Sequence, residues 1–97
     1  MNNDIQDKIG REILKERRAQ DIQWGVQEHS PEKWGVILGE EYGECCEAIL
    51  EQLPKDYRAE LISIAAVAVA ALECYDRAHE KGTDKAGCKC VGHEPER

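Results

Sequence analysis

The stretch Glu60-Leu61-Ile62-Ser63-Ile64-Ala65-Ala66-Val67-Ala68-Val69-Ala70-Ala71-Leu72 decides how this chain folds. Between Leu61 and Leu72 only Ser63 is polar. The uninterrupted apolar run, Ile64 to Leu72, has nine residues, against the roughly 18 needed to cross a bilayer. It is therefore expected to be covered by protein. A helix that is apolar on every side must be surrounded. The pattern predicts a helix from about Asp56 to Lys81, with Gly82 as its stop.

Two further helices are predicted upstream. Ser30 is a good N-cap, Pro31 suits the first helical position and Glu32 favours the first turn. From there Trp34, Ile37, Leu38, Cys45, Ala48 and Ile49 share one face to about Gln52, before Pro54. An earlier stripe of Ile5, Ile9, Ile13 and Leu14 predicts a helix over about Asn3 to Gln20, with Lys15, Arg17 and Arg18 placed to favour the dipole at its end. No strand-type alternation is present. The expected fold is all-α: a bundle of three helices over residues 1–82, with an aperiodic, mobile tail over 83–97. Two helices cover only part of the third. A second subunit is expected to cover the rest, with Val67 near the contact, as a homodimer or homotetramer forming a four-helix-type bundle.

The chain has 97 residues, suited to one domain, and a formal charge of −7. That balance argues against a nucleic-acid surface, which needs clustered positive charge. A phosphorylated small ligand stays open, because a metal can supply positive charge. The first 20 residues lack a signal-peptide core, and the cysteines (Cys45, Cys46, Cys74, Cys88, Cys90) are odd in number. They predict free thiols in a reducing cytoplasm. Cys88, Cys90 and His93 are soft-metal ligands, but no second pair completes the four a structural zinc needs.

The acids carry the functional signal. Glu41 stands four residues after Ile37 and four before Cys45, within the apolar stripe, and Glu44 follows at its flank. Glu60 shares a side with Ser63, Ile64, Val67 and Ala71. Glu40 and Glu47 point elsewhere and are expected to be solvated. Inward carboxylates are costly unless protonated, paired or metal-bound. Three aimed at one region suit a hard divalent cation with oxygen ligands. The plainer alternative is a solvated Glu-rich helix face, but Glu60 heads an apolar helix and has no evident solvent side.

The acids and their surroundings resemble the MazG-like all-α nucleoside triphosphate pyrophosphohydrolases, whose hallmark is E-E-x-x-E, a gap, then E-x-x-D. Here the pattern reads Glu40-Glu41-Tyr42-Gly43-Glu44, fifteen intervening residues, then Glu60-Leu61-Ile62-Ser63. Gln20-Asp21-Ile22-Gln23-Trp24-Gly25, His29-Ser30-Pro31-Glu32-Lys33-Trp34 and the Ala/Val-rich helix add to the likeness, which covers about residues 10–77. The resemblance implies Mg²⁺, or Mn²⁺ in its place, on Glu41, Glu44, Glu60 and Ser63. It implies cleavage of a nucleoside triphosphate between the α and β phosphates, with Glu40 or Glu44 orienting water. Ser63 departs from the family's Asp and brings no charge.

The resemblance also suggests substrate contacts. Trp24, expected in the loop between the first two helices, would stack on the base or else staple the loop to the core. Lys33 would reach phosphate or remain a solvated helix-start lysine. His29 would touch substrate or stand as an exposed loop histidine. Trp34 is expected in the core. Glu73-Cys74-Tyr75-Asp76 also spells E-x-x-D, but lies roughly 20 Å along the helix from Glu60. Three functional classes therefore stand: a Mg²⁺-dependent pyrophosphohydrolase, a catalytically weak relative binding nucleotide or protein, and a plain helical oligomerisation module.

Overall fold

The structure, a computed structural model, describes residues 3–80. The tail over 83–97, with the Cys88, Cys90 and His93 group, lies outside the described residues. Three helices follow in order: α1 (Asn3–Trp24), α2 (Pro31–Leu50) and α3 (Pro54–Glu80). Among the described residues there is no strand, and no helix is long and apolar enough to cross a membrane.

The helix ends follow from local chemistry. α1 runs through Trp24, beyond the expected Gln20, because nothing between them breaks a helix. It stops at Gly25, whose φ of +80° is open to glycine at no steric cost and whose N–H reaches the Asp21 carbonyl at 2.8 Å. α2 begins as expected: the Ser30 hydroxyl accepts from the Lys33 N–H at 3.2 Å, and Pro31 occupies the first turn. It ends two residues earlier than expected, in a Schellman motif. Gln52 takes a left-handed φ of 57°. The Gln52 N–H bonds the Ile49 carbonyl at 3.1 Å and the Leu53 N–H the Ala48 carbonyl at 3.0 Å. Pro54 then opens α3, a position where its missing N–H costs nothing.

α3 is the spine. α1 and α2 each pack along it, without close backbone approach to each other. α2 and α3 form an antiparallel hairpin: Trp34 clusters with Ala70 and Cys74, while Glu41 meets Ser63 nearer the turn. The core is built from small side chains. Ala66 is fully buried, and Trp34, Cys45, Ala48, Val67, Ala70 and Cys74 are buried around it. Val67, expected on a buried side of the helix, packs against Trp34 within the same chain.

α1 is held by charge as much as by apolar contact. Its isoleucines are only partly buried, and Ile5 is exposed. The next residue in that four-residue spacing, Arg17, is the buried one, at 6% exposure. Its guanidinium donates to Asp21 at 2.6 Å and to Glu73 on α3 at 2.7 Å and 3.1 Å. Arg17 is thus a bridge rather than a dipole partner at the helix end. Nearer the start of α3, Arg58 pairs with Glu12 at 2.6 Å.

Cys45 and Cys46 are free thiols, whereas Cys74 is disulfide-bonded. This corrects the expectation that every thiol is free. Spacing along a chain does not reveal which sulfurs the fold brings within bonding distance.

Candidate metal centre

Because α1 and α2 flank α3 without closing on each other, a cleft of about 420 Å³ opens between them. Val67 and Ala70 of α3 line it. α1 contributes Arg17, Gln20, Asp21 and Trp24, and α2 contributes Trp34, Ile37, Glu40, Glu41 and Glu44. Its volume is within the range of small-molecule sites.

At the acidic end, Glu41 and Glu44 stand three residues apart on α2, on adjacent turns of one face. Glu60 faces them from the antiparallel α3. One carboxylate oxygen from each of these residues lies within 4.8 Å of the other two. Glu41 and Glu60 are half-buried and Glu44 is exposed. Burial, then the neighbouring Glu44 and Glu41 charges, push the Glu60 carboxyl above the usual carboxylate range, and a hydrogen bond with Glu44 adds to the shift. No ion pair among the described residues involves Glu40, Glu41, Glu44 or Glu60.

These donors suit a hard divalent cation. They are carboxylate oxygens, close enough to share one ion, and their mutual repulsion is relieved by positive charge. Burial, with Cys46 and Glu60 adding to it, pushes the Cys45 thiol up. The converging ligand atoms come from glutamates alone, so the donor set is oxygen-based.

Ser63 joins this group indirectly. Its hydroxyl donates to Glu41 Oε1 at 2.9 Å, orienting that carboxylate while adding no charge. Glu40 is exposed and lines the cleft one residue before Glu41.

The remaining expected contacts are distributed differently. Trp24 belongs to the last turn of α1 rather than to a loop, and it is 61% exposed at the cleft. Lys33 is exposed in the first turn of α2 and is not among the cleft-lining residues. His29 is also outside the lining. Its ring packs edge-on against Trp34 at 4.9 Å and approaches Gln27 Oε1 at 3.3 Å. Glu73, from the second E-x-x-D string, holds Arg17 and takes no part in the acidic cluster.

Sequence reasoning missed Arg17, Gln20, Asp21 and Gln27 as cleft residues, whereas Trp34 is in the core as expected and also lines the cleft. One signal was available. The spacing of Ile5, Ile9 and Ile13 continues to Arg17 and Asp21, placing a charged pair on the inward stripe. Comparison with protein-family models, with curated proteins and with solved structures returns no match.

Proposed function

We propose that this chain is a Mg²⁺-dependent nucleoside triphosphate pyrophosphohydrolase, releasing a nucleoside monophosphate and pyrophosphate. The observation that carries the reading is the convergence of Glu41, Glu44 and Glu60, the first two of which line the cleft. Acids from two helices, separated by fifteen residues, meet where no cation among the described residues pairs with them. The spacing is that of the MazG-like pattern. A net charge of −7 would repel a triphosphate unless a metal intervened.

Glu41, Glu44 and Glu60 would hold the ion, with the Ser63 hydroxyl orienting Glu41. Bound there, the metal supplies charge neutralisation for the phosphate oxygens and acidifies a coordinated water. Glu40, exposed at the cleft and outside the cluster, is the carboxylate available to accept a proton from water. Trp24 offers an aromatic face at the cleft mouth.

Ser63 supports a second reading. With an uncharged residue where the pattern has Asp, the site holds its ion more weakly, and the chain is then a nucleotide-binding relative with little turnover. Pyrophosphate release across the ribo- and deoxynucleoside triphosphates separates the two. Release that requires Mg²⁺ and disappears in Glu41→Gln supports the enzyme. Nucleotide binding without release supports the relative, and absence of both rejects each.

The proposed assembly is a homodimer or homotetramer. Its support is the stripe Leu61, Ala65, Ala68 and Leu72 on α3. Leu61 and Leu72 remain 42% and 63% exposed, with small residues between them that let a second helix approach.

A further inference from the structure

The α1 wall of the cleft carries a polar group that the fastening of the helix does not use up. Arg17 is 6% exposed and lines the cleft. Its guanidinium is already committed: Nε and Nη2 donate to Glu73, and Nη1 donates to Asp21 Oδ1 at 2.6 Å. Two carboxylates on one cation leave the trio with a net negative charge, so Arg17 is not an anchor for phosphate. Asp21 is the member left open. Its side chain is 40% exposed and it lines the cleft. Its second oxygen, Oδ2, accepts no hydrogen bond among the described residues.

The residues beside Asp21 indicate what that oxygen meets. Gln20 stands one position before it and Trp24 three after, and residues three and four apart share a helix face. All three line the cleft. Trp24 is 61% exposed and offers a flat ring for stacking. The Gln20 amide nitrogen approaches Glu16 Oε2 at 3.4 Å, which leaves its carbonyl oxygen as a further acceptor. Glu41 and Glu44 line the cleft from the other wall, α2. A phosphate placed beside Asp21 would meet like charge. The group suited to the α1 wall is flat, neutral and bears a donor on its edge.

We infer that Asp21 is a specificity-determining residue, whose carboxylate, held by Arg17, accepts a hydrogen bond from the exocyclic amino group of a nucleobase stacked on Trp24. The inference rests on the nucleotide reading above and adds a preference to it. Adenine, cytosine and guanine carry such an amino donor. Uracil and thymine instead place carbonyl oxygens on both sides of their single ring N–H, and those oxygens would face the acceptors of Asp21 and Gln20. Acceptor against acceptor leaves both without a partner, which costs more than the lost bond alone.

The test compares two pyrimidines that differ at this edge. The full chain in Mg²⁺ is titrated calorimetrically with the α,β-imido analogues of dCTP and dUTP, with the N4,N4-dimethyl form of the dCTP analogue, and with inorganic tripolyphosphate. Because the nucleotides carry the same triphosphate, their affinity ratio isolates the base. The wild type should bind the cytosine analogue about 10-fold more tightly than the uracil analogue, the low end for a hydrogen bond to a charged group because Asp21 is partly exposed. Dimethylation, which removes the donor, should abolish that advantage. Asp21→Asn keeps an oxygen for Arg17 but puts an amide donor in place of Oδ2, so it should bring the ratio to about one or invert it. If the variant fails to fold, the dimethyl analogue on the wild type alone decides. Equal binding of the two pyrimidines, a uracil preference, or a cytosine preference that survives either change overturns the inference and leaves the nucleotide reading intact. Failure of every nucleotide analogue to bind, with or without tripolyphosphate binding, overturns the nucleotide reading and the inference together.

Discussion

Repulsion within the Glu41, Glu44 and Glu60 cluster sets the behaviour of the metal-free protein. Glu60 is half-buried beside two carboxylates and carries a raised pKa, so its charged form destabilises the native state near neutral pH. Glu60→Gln should therefore raise the metal-free Tm by a few degrees. The wild type should gain more from metal. A ligand bound only by the native state at a hundredfold excess over Kd stabilises by about 2.7 kcal/mol. For a domain of this size that corresponds to roughly 10–20 °C. Glu60→Gln should lose most of this gain, and calorimetry with and without Mg²⁺ reads both effects. Ser63→Asp should have the opposite signature. The added carboxylate beside Glu41 should lower the metal-free Tm, raise Mg²⁺ affinity several-fold and increase any pyrophosphate release. An unchanged Mg²⁺ affinity in a folded Ser63→Asp protein would mean that position 63 does not reach the ion.

The way α1 is fastened matters at the next scale, because α1 forms one wall of the cleft. Burial works against the Arg17 charge, but Asp21 and Glu73 more than offset it and keep the guanidinium ionised. Glu73→Ala removes the link to α3 while leaving Asp21. The expected cost is about 1–2 kcal/mol, at the low end for a charged hydrogen bond because the Glu73 side chain is 41% exposed. Thermal unfolding should show a Tm loss of roughly 4–16 °C. The second fastening adds a pH dependence. Hydrogen bonds from Arg58 and then Lys8 hold the Glu12 carboxyl at about 2, below its usual 4.5. Its contribution is present above the usual value and lost as pH falls from about 4.5 toward about 2. In acid titrations of Tm, Glu12→Gln should flatten the curve across that window. Both residues are on the surface, so raised salt should shrink the difference.

For the whole molecule, the unresolved balance is between core and surface. The core is thin, made of three alanines, Cys45 and Cys74 with Trp34 and Val67, while Leu61 and Leu72 remain exposed. Leu72→Lys should shift a dimer toward monomer in light scattering with little direct damage to the core, since Leu72 is 63% exposed. A wild type that scatters as a folded 11.0 kDa monomer at micromolar concentration would remove the proposed assembly. Val67→Lys does not make this distinction. Val67 is 7% exposed against Trp34, so a lysine there unfolds the chain whether or not it assembles.

Much of this protein was legible before any tertiary contact was known. The three helices and the capping at Ser30 follow from periodicity and local backbone chemistry, which act over a few residues and so are written in adjacent positions. The inward course of Glu41 and Glu60 follows from the same rule, because residues three and four apart share a helix face. Termini were less accurate: the positive φ of Gln52 and the persistence of α1 to Trp24 depend on the balance at each chain end. Only the tertiary structure decided that α1 and α2 stand apart on α3, that Arg17 meets Glu73 across 56 positions of sequence, and that Val67 packs within its own chain. It also decided that the buried Trp34 indole N–H has no hydrogen-bond partner. Such facts depend on which faces meet in space, and helical periodicity specifies the faces of each element without specifying their partners.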